Sequence, residues 1–213
     1  MSDPRSTLED IFEAERALRR SEQKLLDADA SHATGLEGLL GEAVRAALAE
    51  GDDPDAAMRL ERLADLCAQV PGPGMIDALI SILDAEAESA RIEAYEALQD
   101  VGYERYAEVA RGVERALESG ERGQAMRELP FILAEIAEPS ARPLIVRFLK
   151  IDDVEVQAAA VEALVTLGDP EAAAALKPLI EDPRPVEVDG DTGDETATLG
   201  ELVAEAIEAL EGA

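Results

Sequence analysis

Residues 152–182 read DDVEVQAAAVEALVTLGDPEAAAALKPLIED. Val156, Ala160, Ala163, Leu164 and Leu167 recur at three- and four-residue steps, the spacing that puts side chains on one face of a helix. Gly168 then permits a left-handed cap, and Pro170 opens the next segment without losing a needed N–H. The stretch therefore predicts a helix, a tight turn and a second helix. A pair of this kind leaves an apolar face that only a neighbouring pair can cover.

The chain supplies the neighbours. The block starting at Pro73, PGMIDALISILDAEAESARIEAYEALQDVG, aligns without a gap to PSARPLIVRFLKIDDVEVQAAAVEALVTLG from Pro139, at an offset of 66 residues. Leu83 falls on Leu149, Ala94 on Ala160, Leu98 on Leu164 and Gly102 on Gly168. A shift of 31 residues places an intermediate copy, with Leu133 on Leu164, Ile136 on Leu167 and Glu138-Pro139 on Asp169-Pro170. A final copy begins at Pro170. The unit is thus about thirty residues, a length typical of stacked helical repeats. Ala at the helix crossing lets two backbones approach, and Leu beside it fills the seam.

These residues resemble the HEAT-like repeats of the phycobilisome-lyase type. The pattern is Val156, Ala160, Ala163-Leu164 and Leu167-Gly168-Asp169-Pro170. The resemblance is closest over residues 139–182 and fades before residue 73. It implies an all-α, right-handed α-α superhelix, here of ten or eleven helices. The family usually places Arg directly after the Val; Arg91 keeps it in the earlier copy, and Gln157 stands there in the later one. The resemblance specifies a fold and no reaction, since such repeats occur in bilin lyases and in scaffolds alike. Tetratricopeptide repeats are the nearest rival, and their Trp, Gly and Tyr signature positions are absent.

Outside the array, three helical segments are expected at residues 7–29, 34–50 and 54–70. Ser6-x-x-Glu9 has the form of a capping box for the first. Residues 1–72 are expected to cap the array and supply a degenerate first repeat, and residues 73–213 to form the array itself.

Composition narrows the function. Nineteen basic residues against 48 acidic ones give a net charge of −29. Such a surface repels nucleic-acid phosphates and anionic membranes; it either attracts a basic protein partner or serves solubility alone. The N-terminus has no apolar core of a signal peptide, and the single cysteine fits a reducing compartment, so a cytoplasmic protein is expected. His32, the one histidine, falls in a polar connection and is expected to be solvated. Cys67 lies on the apolar face of its helix and is expected to be a buried small hydrophobe. No cofactor, metal site or catalytic set is expected. The function expected is a non-catalytic protein-interaction scaffold. The alternatives are a lyase-like protein holding a prosthetic group in its groove, and a structural protein self-associating through its first helix.

Three surfaces are candidates for contact. The resemblance implies that second helices line the inner face, which nominates Glu96, Gln99, Asp100, Glu162 and Thr166. Phe131 falls where other copies carry Glu96 and Glu162; it is an exposed anchor unless Pro130 rotates it inward. On the first helix Ile11, Leu18 and Leu25, with Ala14, Ser21 and Ala28, form a heptad seam that serves a second chain or caps the solenoid. Finally, the copy of Leu164 in the last pair is Leu210, so about 15 extra residues enter over 182–197. They include Glu187, Asp189, Asp191, Asp194 and Glu195. The EF-hand spacing fails there, because Gly193 and Gly200 stand where ligands are required. The insertion is expected to be a mobile acidic loop, closed by a capping box at Thr198-x-x-Glu201.

Overall fold

The computed structural model describes residues 3–29, 33–120, 122–190 and 193–212. Ten α-helices follow one another: α1 Pro4–Asp29, α2 Ala33–Leu48, α3 Pro54–Gln69, α4 Pro73–Ile82, α5 Glu88–Ser119, α6 Ala125–Ile136, α7 Ala141–Phe148, α8 Val154–Leu167, α9 Ala173–Leu176 and α10 Leu199–Glu211. Strands β1 (Pro185–Gly190) and β2 (Gly193–Thr198) lie between α9 and α10. The second helices of successive pairs pack in one layer: α3 on α5, α5 on α6, α6 on α8 and α8 on α10. First helices pack behind them, α2 on α4 and α5 on α7. This is an all-α solenoid with one hairpin inserted near its end.

The repeat positions do what their residue types require. Ala94, Ala160, Leu98 and Leu164 are fully buried, at the crossings and seams. Asp53, Asp153 and Asp169 each accept backbone N–H bonds at the start of a helical segment. Acids also cap across units. Glu37 on α2 accepts the Gly74 N–H at 2.6 Å at the start of α4, and Asp84 accepts the Ala125 N–H at 2.8 Å at the start of α6. Some of the acidity thus satisfies helix N-termini and their dipoles.

Four local expectations are corrected. Helix α1 starts at Pro4, with the Asp3 carboxylate accepting the Arg5 N–H at 3.2 Å, so Ser6 lies inside it and is no cap. Gly102 does not end a helix as Gly168 does. Helix α5 continues to Ser119, with a kink at Arg105 (φ −140°, ψ 46°). A side chain at Gly102 would come within 2.1 Å of Ile136, so glycine is there for close packing. The first helix of the last pair is broken into α9 between 3-10 turns Pro170–Ala172 and Lys177–Leu179, with Pro178 in the second turn.

The fourth concerns residues 182–197, expected to be a loop. Strands β1 and β2 pair antiparallel, with Val186 opposite Ala197. Val186 is buried against α8 while its neighbour Glu187 faces solvent. That alternation is what folds the insertion back onto the solenoid. The capping box at its end is present: the Glu201 carboxylate accepts the Thr198 N–H at 2.8 Å, and the Thr198 hydroxyl accepts the Glu201 N–H at 3.2 Å.

The intermediate copy places Ala137 where Gly168 stands in the next one. Ala137 takes the same left-handed cap at φ 55°, while Gly168 does so at φ 67°. An L-residue with a Cβ is strained there by roughly 1–2 kcal/mol, partly offset in glycine by a freer unfolded chain. Ala137 is exposed and no contact is lost on trimming it. Ala137→Gly is therefore expected to stabilise the protein by about 1 kcal/mol, seen as a higher urea midpoint at unchanged slope.

Candidate interaction groove

The layer of second helices carries the candidate site. Between the first half of α5 and α6 lies a groove of about 530 Å³. Ile92 and Tyr95 give it apolar surface, and Glu88, Glu96, Glu128 and Glu135 line it with carboxylates. Ile92 is 52% exposed and so offers the groove an aliphatic side chain. The Tyr95 phenol is raised above its usual value, first by burial, then by the negative charge of Glu135 and by its hydrogen bond to that carboxylate. Arg91, the one cation in the lining, spends its guanidinium on the Ala85 and Glu86 carbonyls at 2.9 and 2.8 Å. The groove therefore presents apolar contact within a negative rim.

Of the surface residues expected from the sequence, Glu96 and Gln99 line this groove. Asp100 lines another of about 430 Å³ beside Tyr103 and Arg105. Glu162 and Thr166 line a third of about 360 Å³ between α8 and α10, with Val161, Val165 and Leu202. The six therefore do not converge on one spot. Helix α6 carries through Pro130, and Phe131 is half-buried against the core without entering the groove. Ile92, Tyr95, Glu128 and Glu135 were not legible as lining residues. Ile92 falls on the copy position of the buried Ala158, yet it lines the groove beside α6 and stays exposed.

The remaining candidates divide. On α1, Ile11 and Leu18 are exposed, Ala14 and Ser21 are exposed, and Leu25 is half-buried against the core; the side chain of Ala28 lies outside the described residues. Glu187 is exposed on β1. Asp189, Asp194 and Glu195 occupy strand positions, and Asp191 lies outside the described residues, as does His32. Cys67 is buried and its thiol is pushed up to about 12 by desolvation, so no thiolate is offered to a substrate. Of the cations of α1, Arg19 pairs with Glu15 within the helix at 3.1 Å. Two of those on α5 work between helices: Arg115 holds Asp77 at 2.6 Å, and Arg105 donates to the Ala68 carbonyl at 2.7 Å.

Gln157, which aligns with Arg91 of the earlier copy, is a buried polar side chain. It donates to the Leu149 carbonyl at 2.9 Å, just as Arg91 reaches carbonyls after its own first helix. Its oxygen accepts from Arg184, at the base of the hairpin, which also binds Asp182 at 2.6 Å. A guanidinium from the insertion thus stands beside Gln157.

Next to the groove, Glu93 meets Asp65 across α3 and α5. Burial first, then the hydrogen bond and charge of Asp65, raise the Glu93 carboxyl. A raised acid stabilises the fold below its unfolded value, and that contribution disappears as pH rises through the folded one. Glu93→Gln is expected to stabilise the protein by about 0.5 kcal/mol at pH 7, with the gain vanishing as pH falls below roughly 4.5. Thermal melts of both proteins across pH 4 to 8 check the sign.

Among the described residues, no helix is long and apolar enough to cross a membrane, and no three His, Cys, Asp or Glu side chains are grouped to hold a metal ion. The family model described as HEAT repeats matches residues 117–189. No curated protein matches the chain. A crystal structure of an engineered protein is similar at 19% identity over 82% of this chain and 80% of that one, with a TM-score of 0.37, too low to add to the fold assignment. The stacked pairs and the family match together support a HEAT-like repeat protein.

Proposed function

We propose that this chain is a non-catalytic scaffold that binds a protein partner across the groove between α5 and α6. The observation that carries the reading is the exposed Ile92 beside Tyr95, ringed by Glu88, Glu96, Glu128 and Glu135. Apolar contact supplies affinity, and the carboxylates select a partner segment bearing Lys or Arg. The net charge of −29 favours the same class of partner and disfavours nucleic acid. The repeats are read as the phycobilisome-lyase type on Val156, Ala160, Ala163-Leu164 and Leu167-Gly168-Asp169-Pro170, and the compartment as the cytoplasm.

The test compares capture from native extract by the full chain and by an Ile92→Asp, Glu96→Lys, Glu128→Lys variant of equal helicity. Proteins retained by the first and released by the second are expected. Identical captured sets would remove the groove from the function.

A further inference from the structure

Helix α1 spans 26 residues, roughly 39 Å, yet only its last turns touch the body. Leu25 and Leu26 pack against the core, and Glu22 pairs with Arg62 at 3.3 Å. Towards the N-terminus the same face carries Leu8, Ile11, Phe12 and Leu18, each between 41% and 53% exposed. An amphipathic helix of this length has little stability of its own and is held by what covers its apolar face. Over its first half, nothing in the described chain does.

We infer that a second copy of this chain covers it, with the two α1 helices paired antiparallel. The helix is complementary to itself. Residues 9–15 hold Glu9, Asp10, Glu13 and Glu15 and no base, while residues 16–24 hold Arg16, Arg19, Arg20 and Lys24 against the single acid Glu22. An antiparallel pair runs the acidic half of each helix beside the basic half of the other; a parallel pair aligns like with like. In the heptad frame of Ile11 and Leu18, the antiparallel register sets each Leu18 against the small Ala14 of the other copy and each Ile11 against its Ser21. It also brings Asp10 to Lys24 across the seam edge, twice by symmetry. Leu8 and Phe12 come level with residues 24 and 20 of the second copy, close to where that copy's body begins. Antiparallel helix dipoles oppose each other favourably. The bodies, each part of a chain of charge −29, go to opposite ends of the pair rather than the same end.

Sedimentation equilibrium of the full chain at about 0.15 M salt, where charges are screened beyond roughly 8 Å, is the test. The weight-average mass is expected to rise with concentration towards twice the 22.7 kDa of one chain. Ile11→Glu and Leu18→Glu should each hold the mass at one chain and cost at most the helicity of the first half of α1, while the thermal transition of the body stays unchanged, because both sites lie outside the folded body. Asp10→Lys should weaken the dimer about tenfold, and adding Lys24→Asp should restore it. A mass of one chain up to hundreds of micromolar overturns the inference. A dimer indifferent to Ile11→Glu and Leu18→Glu overturns the α1 seam, and failure of the charge swap to rescue overturns the antiparallel register.

Discussion

Gly200→Val is expected to release the last helix from the array. A Cβ at Gly200 would lie 2.6 Å from the Ile180 carbonyl oxygen and 3.1 Å from both the nitrogen and the oxygen of Asp182. All three are backbone atoms, so no side chain can swing aside. The Gly200 N–H donates to the Asp182 carbonyl and the Leu199 N–H to the Arg184 carbonyl, both at 2.9 Å. These bonds tie the start of α10 to the base of the hairpin, and any shift that relieves the clash breaks them. Overpacking costs about 1–3 kcal/mol where the site can adjust, and a branched side chain against fixed backbone belongs at about 3 or above. Stacked repeats couple mainly to their neighbours, so the damage should stay at the end. Hydrogen exchange is expected to accelerate over residues 180–184 and α10 while α3 and α5 keep their protection.

Phe148→Ala is expected to act differently, because it strikes the middle of the stack. Phe148 is fully buried at the end of α7, where the earlier copy carries the equally buried Ile82. Removing a buried ring costs about 3–5 kcal/mol through lost transfer energy and the cavity left behind. The flanking units on both sides lose a surface, so the urea midpoint of the main transition should fall. Phe148→Leu, which conserves most of the volume, should recover more than half of the loss. A midpoint that stays within error for Phe148→Ala would mean that the seam repacks freely.

The stacking was legible because the repeat writes its physics at fixed spacing: Ala at 94 and 160, and Leu at 98 and 164. What misled was residue type without geometry. Gly102 and Gly168 align, yet one admits a neighbour's Ile136 and the other adopts a left-handed cap. Ser6 and Glu9 fit a capping box, but Asp3 before Pro4 fits an earlier start. In the insertion, Val186 and Val188 around Glu187 already carried the strand alternation; the weight of acids around them pointed to a loop instead. Gly200 counted in sequence only as a missing metal ligand, since close approach to Ile180 depends on a chain reversal that sequence spacing does not display. The groove was half legible. Glu96 and Gln99 follow from their outward position on a second helix, whereas Ile92 aligns with the buried Ala158 and yet stays exposed.

The proposed function places partner recognition in the groove between α5 and α6. Hydrogen exchange of the chain alone and with a partner captured by it measures that directly. New protection is expected over the first half of α5, from Glu88 to Asp100, and over α6, weakening as salt rises. Protection confined to the hairpin, to α1 or to the groove between α8 and α10 would contradict it.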